Sequence, residues 1–435
     1  MLLRRRETAL ALLAAAFVLS ALIAVSLGPY ARANSWDAAP GPGLWQAGVL
    51  ALAWLACLIG ASLGLRRLVP QHDPFLLPAA YLLAGWGLAI IWRLAPGFAL
   101  RQAVWLVVGT ALLVGVAALP GDLRWLRRYR YLWLLGGLAL TLLTLLFGVN
   151  PSGYGQRLWL GLTGLIYLQP AEILKVLLVV FLAAYLADRR EVLFQPEPAS
   201  ARRFSLAWRA FPYFFPLLLM WGFSMVILVS QRDLGMGTLF FAVFLVMLYL
   251  ASGQMRYVVL GVALLLLGAG IGYYLFDVVR LRVEAWWNPW QDSSGRSFQI
   301  VQSLIALAAG GLAGQGPGLG APTLIPVAHS DFIFAALGEE WGLAGMAGVT
   351  GLVLVIIFRG LRHAMVAQGT FRQLLAGGLA ALLGLQALMI MGGVVRLVPL
   401  TGLTLPFMSY GGSSLVASFV ILGLLLRLSA PPPAP

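Results

Sequence analysis

The sequence predicts an all-α integral membrane protein, a polytopic helix bundle with about twelve membrane-spanning helices. Two observations carry this. Apolar residues make up 61% of the 435-residue chain and charged residues only 10%, too few charges to cover the surface of a soluble fold of this length. Apolar runs of about 18 residues or more recur from end to end, each long enough to cross a hydrocarbon core of about 30 Å. No stretch between them is long enough for a separate soluble domain, so the chain reads as one membrane domain. The single cysteine, Cys57, excludes an internal disulfide framework.

The expected spans are 8–28, 43–65, 75–93, 99–119, 130–148, 171–187, 209–229, 234–251, 256–276, 332–358, 371–396 and 406–427. With a cytoplasmic N-terminus, the even-numbered connections and both tails hold 19 of the 29 basic residues, from Arg4 to Arg427. The opposite side holds nine: Arg32, Arg93, Arg101, Arg157, Arg232, Arg280, Arg282, Arg296 and Arg396. Lys175, the only lysine, lies within a helix. The positive-inside rule therefore places both termini in the cytoplasm. It also accounts for the net charge of +14 without nucleic acid as a partner. Arg4–Arg6, an apolar run and Ala31-Arg32-Ala33 resemble a secretory signal with a cleavage site. The apolar run is longer than a signal core, which favours a retained first helix.

Two expected outward connections are long. The first, about 149–170, reads VNPSGYGQRLWLGLTGLIYLQP; the second, about 277–331, carries most of the outward polar chemistry. Connections of that length are uncommon unless functional. Trp286, Trp287 and Trp290 fit an interfacial aromatic belt, but a belt does not explain the acid and arginines beside them. Glycines 314, 316, 318 and 320 surround Pro317, where backbone can approach a neighbour closely.

Ionisable residues also fall at membrane depth. Glu172 and Lys175 share a helix face at i, i+3. They read either as a structural ion pair or as the wall of a substrate cavity. Glu339 and Glu340, early in the tenth span, equally suit a helix N-terminal dipole. The tract Ser409–Ser414 opens the last span, where its small residues would permit close packing or serve a site.

With these residues assembled, the chain resembles the SEDS family of bacterial envelope proteins (RodA, FtsW and SpoVE). The resemblance rests on TGLTLPFMSYGGSSL (401–415) and HSDFIFAALGEEWGLAG (329–345). Further matches in order are Arg101-Gln102 with Trp105, GQRLWLGL…LQPAEILK (155–175), Gln231–Gly235 and WNPWQDSSGRSFQIVQSL (287–304). It covers about 75–428. The family typically has ten spanning helices. That implies a division at residues 1–70, two additional N-terminal helices, and 71–435, a SEDS-like core with the large outward loop 277–331.

The resemblance implies a peptidoglycan glycosyltransferase that polymerises lipid II at the outer face of the cytoplasmic membrane, in cell elongation or division, with a class B penicillin-binding protein as partner. The family's essential acid maps onto Asp292. There are departures: Val327 stands where a glutamate is common, and Ser297-Phe298-Gln299 where Gly-Tyr-Gln is usual. Chemistry points the same way, because a sugar hydroxyl is a weak nucleophile that a carboxylate base assists. Cations stabilise the departing lipid pyrophosphate. Asp292 is the catalytic candidate; Arg157, Glu172, Lys175, Arg232, Arg282, Arg296, Gln299, His329, Asp331, Ser409 and Tyr410 are substrate-binding candidates. No metal-ligand spacing is present, although Mg2+ or Mn2+ could assist, and membrane lipid surrounds the whole. Two other readings remain at this point, a lipid II flippase or transporter and a non-catalytic scaffold of the elongation or division complex.

Overall fold

The computed structural model describes residues 2–33, 43–120, 122–150, 156–162, 166–194 and 203–431. The helices are α1 (Leu2–Ala33), α2 (Leu44–Leu68), α3 (Leu76–Leu94), α4 (Pro96–Ala117), α5 (Arg124–Arg128), α6 (Arg130–Phe147), α7 (Pro170–Phe194), α8 (Arg203–Ser230), α9 (Leu234–Ser252), α10 (Met255–Leu275), α11 (Asp277–Trp287), α12 (Phe298–Gly310), α13 (Ile333–Val366), α14 (Thr370–Val394) and α15 (Gly412–Ser429). Among the described residues the strands are β1 (Leu160–Leu162) and β2 (Ile166–Leu168), which pair antiparallel inside the first long connection. The twelve expected spans correspond to α1–α4, α6–α10 and α13–α15. Eleven of these are long and apolar enough to cross a membrane, and α8 contributes the shorter apolar segment Leu218–Ser230. The chain is a multi-pass membrane protein.

Packing divides the chain into two units. Unit 1 comprises Met1–Leu119, Leu267–Arg359 and Gln386–Ala430; unit 2 comprises Pro120–Leu266, Gly360–Leu385 and Pro431–Pro435. In unit 1, α15 and α2 pack on α4, and α1 packs on α3. At its centre the Tyr81 hydroxyl shares a 2.7 Å hydrogen bond with Thr110, and the Trp54 indole donates to the Tyr81 carbonyl at 3.0 Å. Burying these large rings is worth several kcal/mol only because their polar tips find partners. The two N-terminal helices are part of this unit and share its core through Val18, Leu22, Leu50 and Trp54, all at most 2% exposed.

In unit 2, α7 packs against α6 and α9. Three polar ties fix these helices. Asp188 pairs with Arg127 and Arg130. The Gln231 amide donates to the Thr141 carbonyl at 2.8 Å, and Arg190 donates to the Ala251 carbonyl at 2.9 Å.

The 277–331 connection departs from a long irregular loop. It folds as α11, a 3-10 turn at Pro289–Asp292, α12 and a second 3-10 turn at Pro322–Leu324. Local helix satisfies backbone groups that a bare loop would leave without partners.

Candidate functional site

Asp292 closes the first of these 3-10 turns. Its exposed carboxylate folds back over the following turn, where Oδ2 accepts the Arg296 backbone N–H at 3.0 Å. The Asp292 carbonyl accepts from Gly295 and Ser297, both at 3.3 Å. Gly295 makes room for this, since a Cβ there would lie 2.2 Å from Oδ1. Arg296 is exposed beside it, and Gln299 is half-buried in the first turn of α12. All the hydrogen bonds of Asp292 lie within its own turn, so the carboxylate is available to an incoming group.

A second cluster in unit 1 gathers five sequence candidates. The Tyr410 backbone N–H donates to the His329 carbonyl at 2.9 Å, and the Tyr410 ring lies 5.5 Å from the imidazole. Phe98 stacks on Tyr410 with centroids 4.7 Å apart and tilts against His329 at 5.0 Å. The Ser409 hydroxyl donates to the Ser330 carbonyl at 2.6 Å and accepts from the Leu405 N–H at 2.9 Å. Ser330 in turn donates to Asp331 Oδ1 at 2.9 Å. Arg282, reaching from α11, donates to the Thr401 carbonyl at 3.4 Å and projects its charge onto Asp331.

Burial sets the protonation states here. It pushes the Asp331 carboxyl above its ordinary value, against the Ser330 hydrogen bond and the Arg282 charge. It pushes His329 down, favouring neutral imidazole. It pushes the Tyr410 phenol up, opposed by the charge and hydrogen bond of Arg101.

The sequence placed Ser409–Gly411 at the start of the last helix. The structure corrects this, because α15 begins only at Gly412. The Ser409 side chain is committed to flanking backbone, and Gln102 straddles the tract. The Gln102 Nε2 donates to the Ser409 carbonyl at 3.1 Å, and its Oε1 accepts from the Gly411 N–H at 3.4 Å. Helix cannot propagate until these bonds end.

Glu339 and Glu340 are hydrogen-bonded to the backbone of the glycine-rich stretch and its end. Glu339 accepts the Ala321 N–H at 2.6 Å and Glu340 accepts the Gly318 N–H at 3.0 Å, so the two carboxylates clamp the glycine-rich stretch. Arg93 pairs with Glu340 at 3.3 Å and donates to the Gly320 carbonyl at 3.1 Å. Within α13, Gly342 adopts φ 64°, and a Cβ there would sit 2.3 Å from the Gly314 nitrogen. Only glycine tolerates both constraints.

The remaining candidates belong to unit 2. Glu172, in the first turn of α7, pairs with Lys175; the two are 2% and 1% exposed. Arg157 and Arg232 are exposed, and the Arg232 carbonyl accepts from the Gln156 side chain at 2.9 Å. Among the described residues no three His, Cys, Asp or Glu side chains converge as metal ligands. Sequence reasoning did not single out Phe98, Arg101 or Gln102 as site residues. The Arg101-Gln102 pair preceding Trp105 was the available signal, polar residues at the start of an otherwise apolar span.

Residues 94–431 match the family model described as cell cycle protein, FtsW/RodA/SpoVE. The chain is 38% identical over 437 residues to the peptidoglycan glycosyltransferase RodA of Mycobacterium tuberculosis, covering 98% of this chain and 90% of that protein. That alignment takes in most of the two N-terminal helices. It is 36% identical over 337 residues to the probable peptidoglycan glycosyltransferase FtsW of Geobacter metallireducens, covering 76% of this chain and 84% of that one. Among solved structures, one reported under "Structural coordination of polymerization and crosslinking by a peptidoglycan synthase complex" superposes with a TM-score of 0.66 at 27% identity, over 82% of this chain and 97% of that one. The crystal structure of the rod shape determining protein RodA of Thermus thermophilus gives a TM-score of 0.58 at 26% identity, over 82% and 96%. On its helices, its ordered motifs and these matches, the chain belongs to the FtsW/RodA/SpoVE family of cell cycle proteins.

Proposed function

We propose that the chain is a peptidoglycan glycosyltransferase that polymerises lipid II into glycan strands, with Asp292 as general base. The observation carrying the assignment of the base is the Asp292 turn, an exposed carboxylate whose hydrogen bonds are all local. Family membership supplies the reaction class. A sugar hydroxyl of one lipid-linked unit attacks the anomeric carbon of another, Asp292 accepts the hydroxyl proton, the new glycosidic C–O bond forms, and the lipid pyrophosphate leaves with the electron pair of the broken bond. Arg296 and Arg282 present cations in the same unit as the base, where guanidinium forks suit phosphate oxygens. Gln299, His329, Asp331 and Tyr410 offer hydrogen bonds to the sugar or peptide portion, and Ser409, whose hydroxyl is taken by backbone, holds the segment beside Tyr410 in place. Unit 2 offers its own exposed cations, Arg157 and Arg232, to a lipid phosphate, and the buried Glu172–Lys175 pair sets the charge at the start of α7.

The arginine distribution supports cytoplasmic termini, which puts Asp292 on the outer face of the membrane. A class B penicillin-binding protein, cross-linking the new strand, is the partner that fits. Residues 1–70 are proposed as an addition to the ten-helix core that carries the chemistry.

The test is polymer formation from purified lipid II by the full-length protein, alone and with its partner, for wild type and Asp292→Asn. Wild type should polymerise, more strongly in the complex, and the variant should not. A variant that polymerises at the wild-type rate removes Asp292 as base. A cysteine at Ser293 should react with an impermeant maleimide in intact cells. Reaction only after permeabilisation would reverse the orientation.

A further inference from the structure

We infer that Arg396 is a positioning residue for Asp292, acting as a latch on the helix that carries the catalytic turn. The inference rests on the reading of Asp292 as the base. Arg396 follows α14, and its side chain meets the C-terminus of α11. Its Nε donates to the Trp286 carbonyl at 3.1 Å and its terminal nitrogen to the Trp287 carbonyl, also at 3.1 Å. These are the last two carbonyls of α11, which the helix cannot satisfy internally. The contact is reciprocal, because the Trp286 indole donates to the Arg396 carbonyl at 3.0 Å. Arg396 itself adopts φ 60°, a left-handed conformation unfavourable for a residue with a Cβ. The three bonds hold it there.

The position of this contact gives it a catalytic consequence. Trp287 is followed by Asn288, then by Pro289, which opens the 3-10 turn ending at Asp292. Pro289 is buried and has a fixed φ, so displacement of the α11 terminus is passed to the carboxylate rather than absorbed between them. Asp292 has no hydrogen bond outside its own turn, so its placement relative to the rest of unit 1 depends on what anchors the ends of that turn. A planar guanidinium spanning two adjacent carbonyls fixes both position and rotation, whereas an ammonium is a compact charge on a flexible stem whose donors rotate freely.

The experiment has two readouts. The first is mobility, from a spin label at a cysteine replacing exposed Gln291, in a Cys57→Ser background. Arg396→Gln should raise label mobility and Arg396→Lys should give an intermediate value. The second is turnover with lipid II. Arg396→Gln should lower kcat by about 10- to 10²-fold, the range for misplacing a reacting group by about 1 Å, with KM within about twofold. Arg396→Lys should recover part of the loss. Adding Arg396→Gln to Asp292→Asn should lower the residual rate no further. Trp286→Phe, which removes only the returning indole bond, should give a milder version of both effects and stands in if Arg396→Gln does not fold.

Unchanged label mobility in Arg396→Gln overturns the latch whatever Asp292 does. A loss that persists in full on the Asp292→Asn background overturns the coupling while leaving Asp292 as base. Wild-type turnover by Asp292→Asn overturns the base and the catalytic consequence of the latch together, and the label alone then reports the mechanical contact.

Discussion

Asp292 and Glu340 are two carboxylates of the same unit, in or beside the same long connection, and they are used in opposite ways. Glu340 is 2% exposed, accepts the Gly318 N–H at 3.0 Å and pairs with Arg93 at 3.3 Å. Asp292 is exposed, and its only hydrogen bonds run back to its own turn. A carboxylate whose lone pairs are taken by buried backbone and a guanidinium is a fastener, because releasing it for chemistry would strand its partners. A carboxylate supported from behind and open in front can exchange a proton without cost to the fold. Position in sequence does not separate these roles; the count of committed lone pairs does.

The comparison is broken most directly at the fastener. Glu340→Ala removes the ion-pair partner of Arg93 and the carboxylate that holds the Gly318 N–H, so a loss of about 3–5 kcal/mol in stability is expected. A thermal-shift series in detergent measures it, and little change in apparent Tm would mean that Glu340 is not holding the glycine-rich stretch.

At Asp292 the effect should appear in rate and not in stability. Asp292→Asn should reduce polymerisation by about 10²-fold or more, equivalent to about 2.7 kcal/mol of barrier, with an unshifted Tm. Ser293→Ala and Ser294→Ala should lie within a few-fold of wild type. A comparable loss in either serine variant would show that the turn's shape, and not its carboxylate, matters.

The Glu172–Lys175 pair falls between the two cases, because each buried charge is committed to the other. Removing both with Glu172→Gln and Lys175→Met should cost little stability, as replacing a buried pair together often does. We expect the folded variant to lose polymerisation. Wild-type turnover would class the pair with Glu340.

The smallest effect is a pH dependence at the aromatic cluster. The folded pKa of His329 is depressed by burial, so its stabilisation is present above about pH 6.5 and is lost as the pH falls through the lower folded value. The unfolded chain takes up the proton first. His329→Gln should therefore flatten the decline in apparent Tm between pH 7.5 and 5. Asp331 has the opposite sign: its raised pKa makes the folded state lose stability as pH rises from the ordinary carboxylate value through the folded one.

Much of this architecture was legible in the sequence, because membrane spans declare themselves by length and apolarity. All twelve expected spans meet helices, and the acid proposed as base stands in a polar stretch that carries its own turn. What the sequence left hidden depends on contacts between distant segments. The connection 277–331 gave no sign of being mostly helical, because α11 is amphipathic over only eleven residues and its apolar positions are shared with an interfacial belt. The role of Glu340 depended on Arg93, far away in the chain. The delayed start of α15 depended on Gln102, a side chain on α4 that satisfies backbone groups in the tract before the helix. Hydrogen-bond capture by a remote side chain overrides local propensity and has no local signature.

The isolation of Lys175 has a consequence for the whole surface. It is the only lysine, and it is buried and paired. Apart from three histidines, every other basic side chain is an arginine, which keeps its proton at any pH a cell can survive. The arginine charges of this protein are therefore fixed. Acylating enzymes that silence lysines find no substrate among the exposed side chains, and alkaline growth leaves the arginines charged. Tuning of the proposed hold on a lipid phosphate would come from ionic strength or from the lipids themselves.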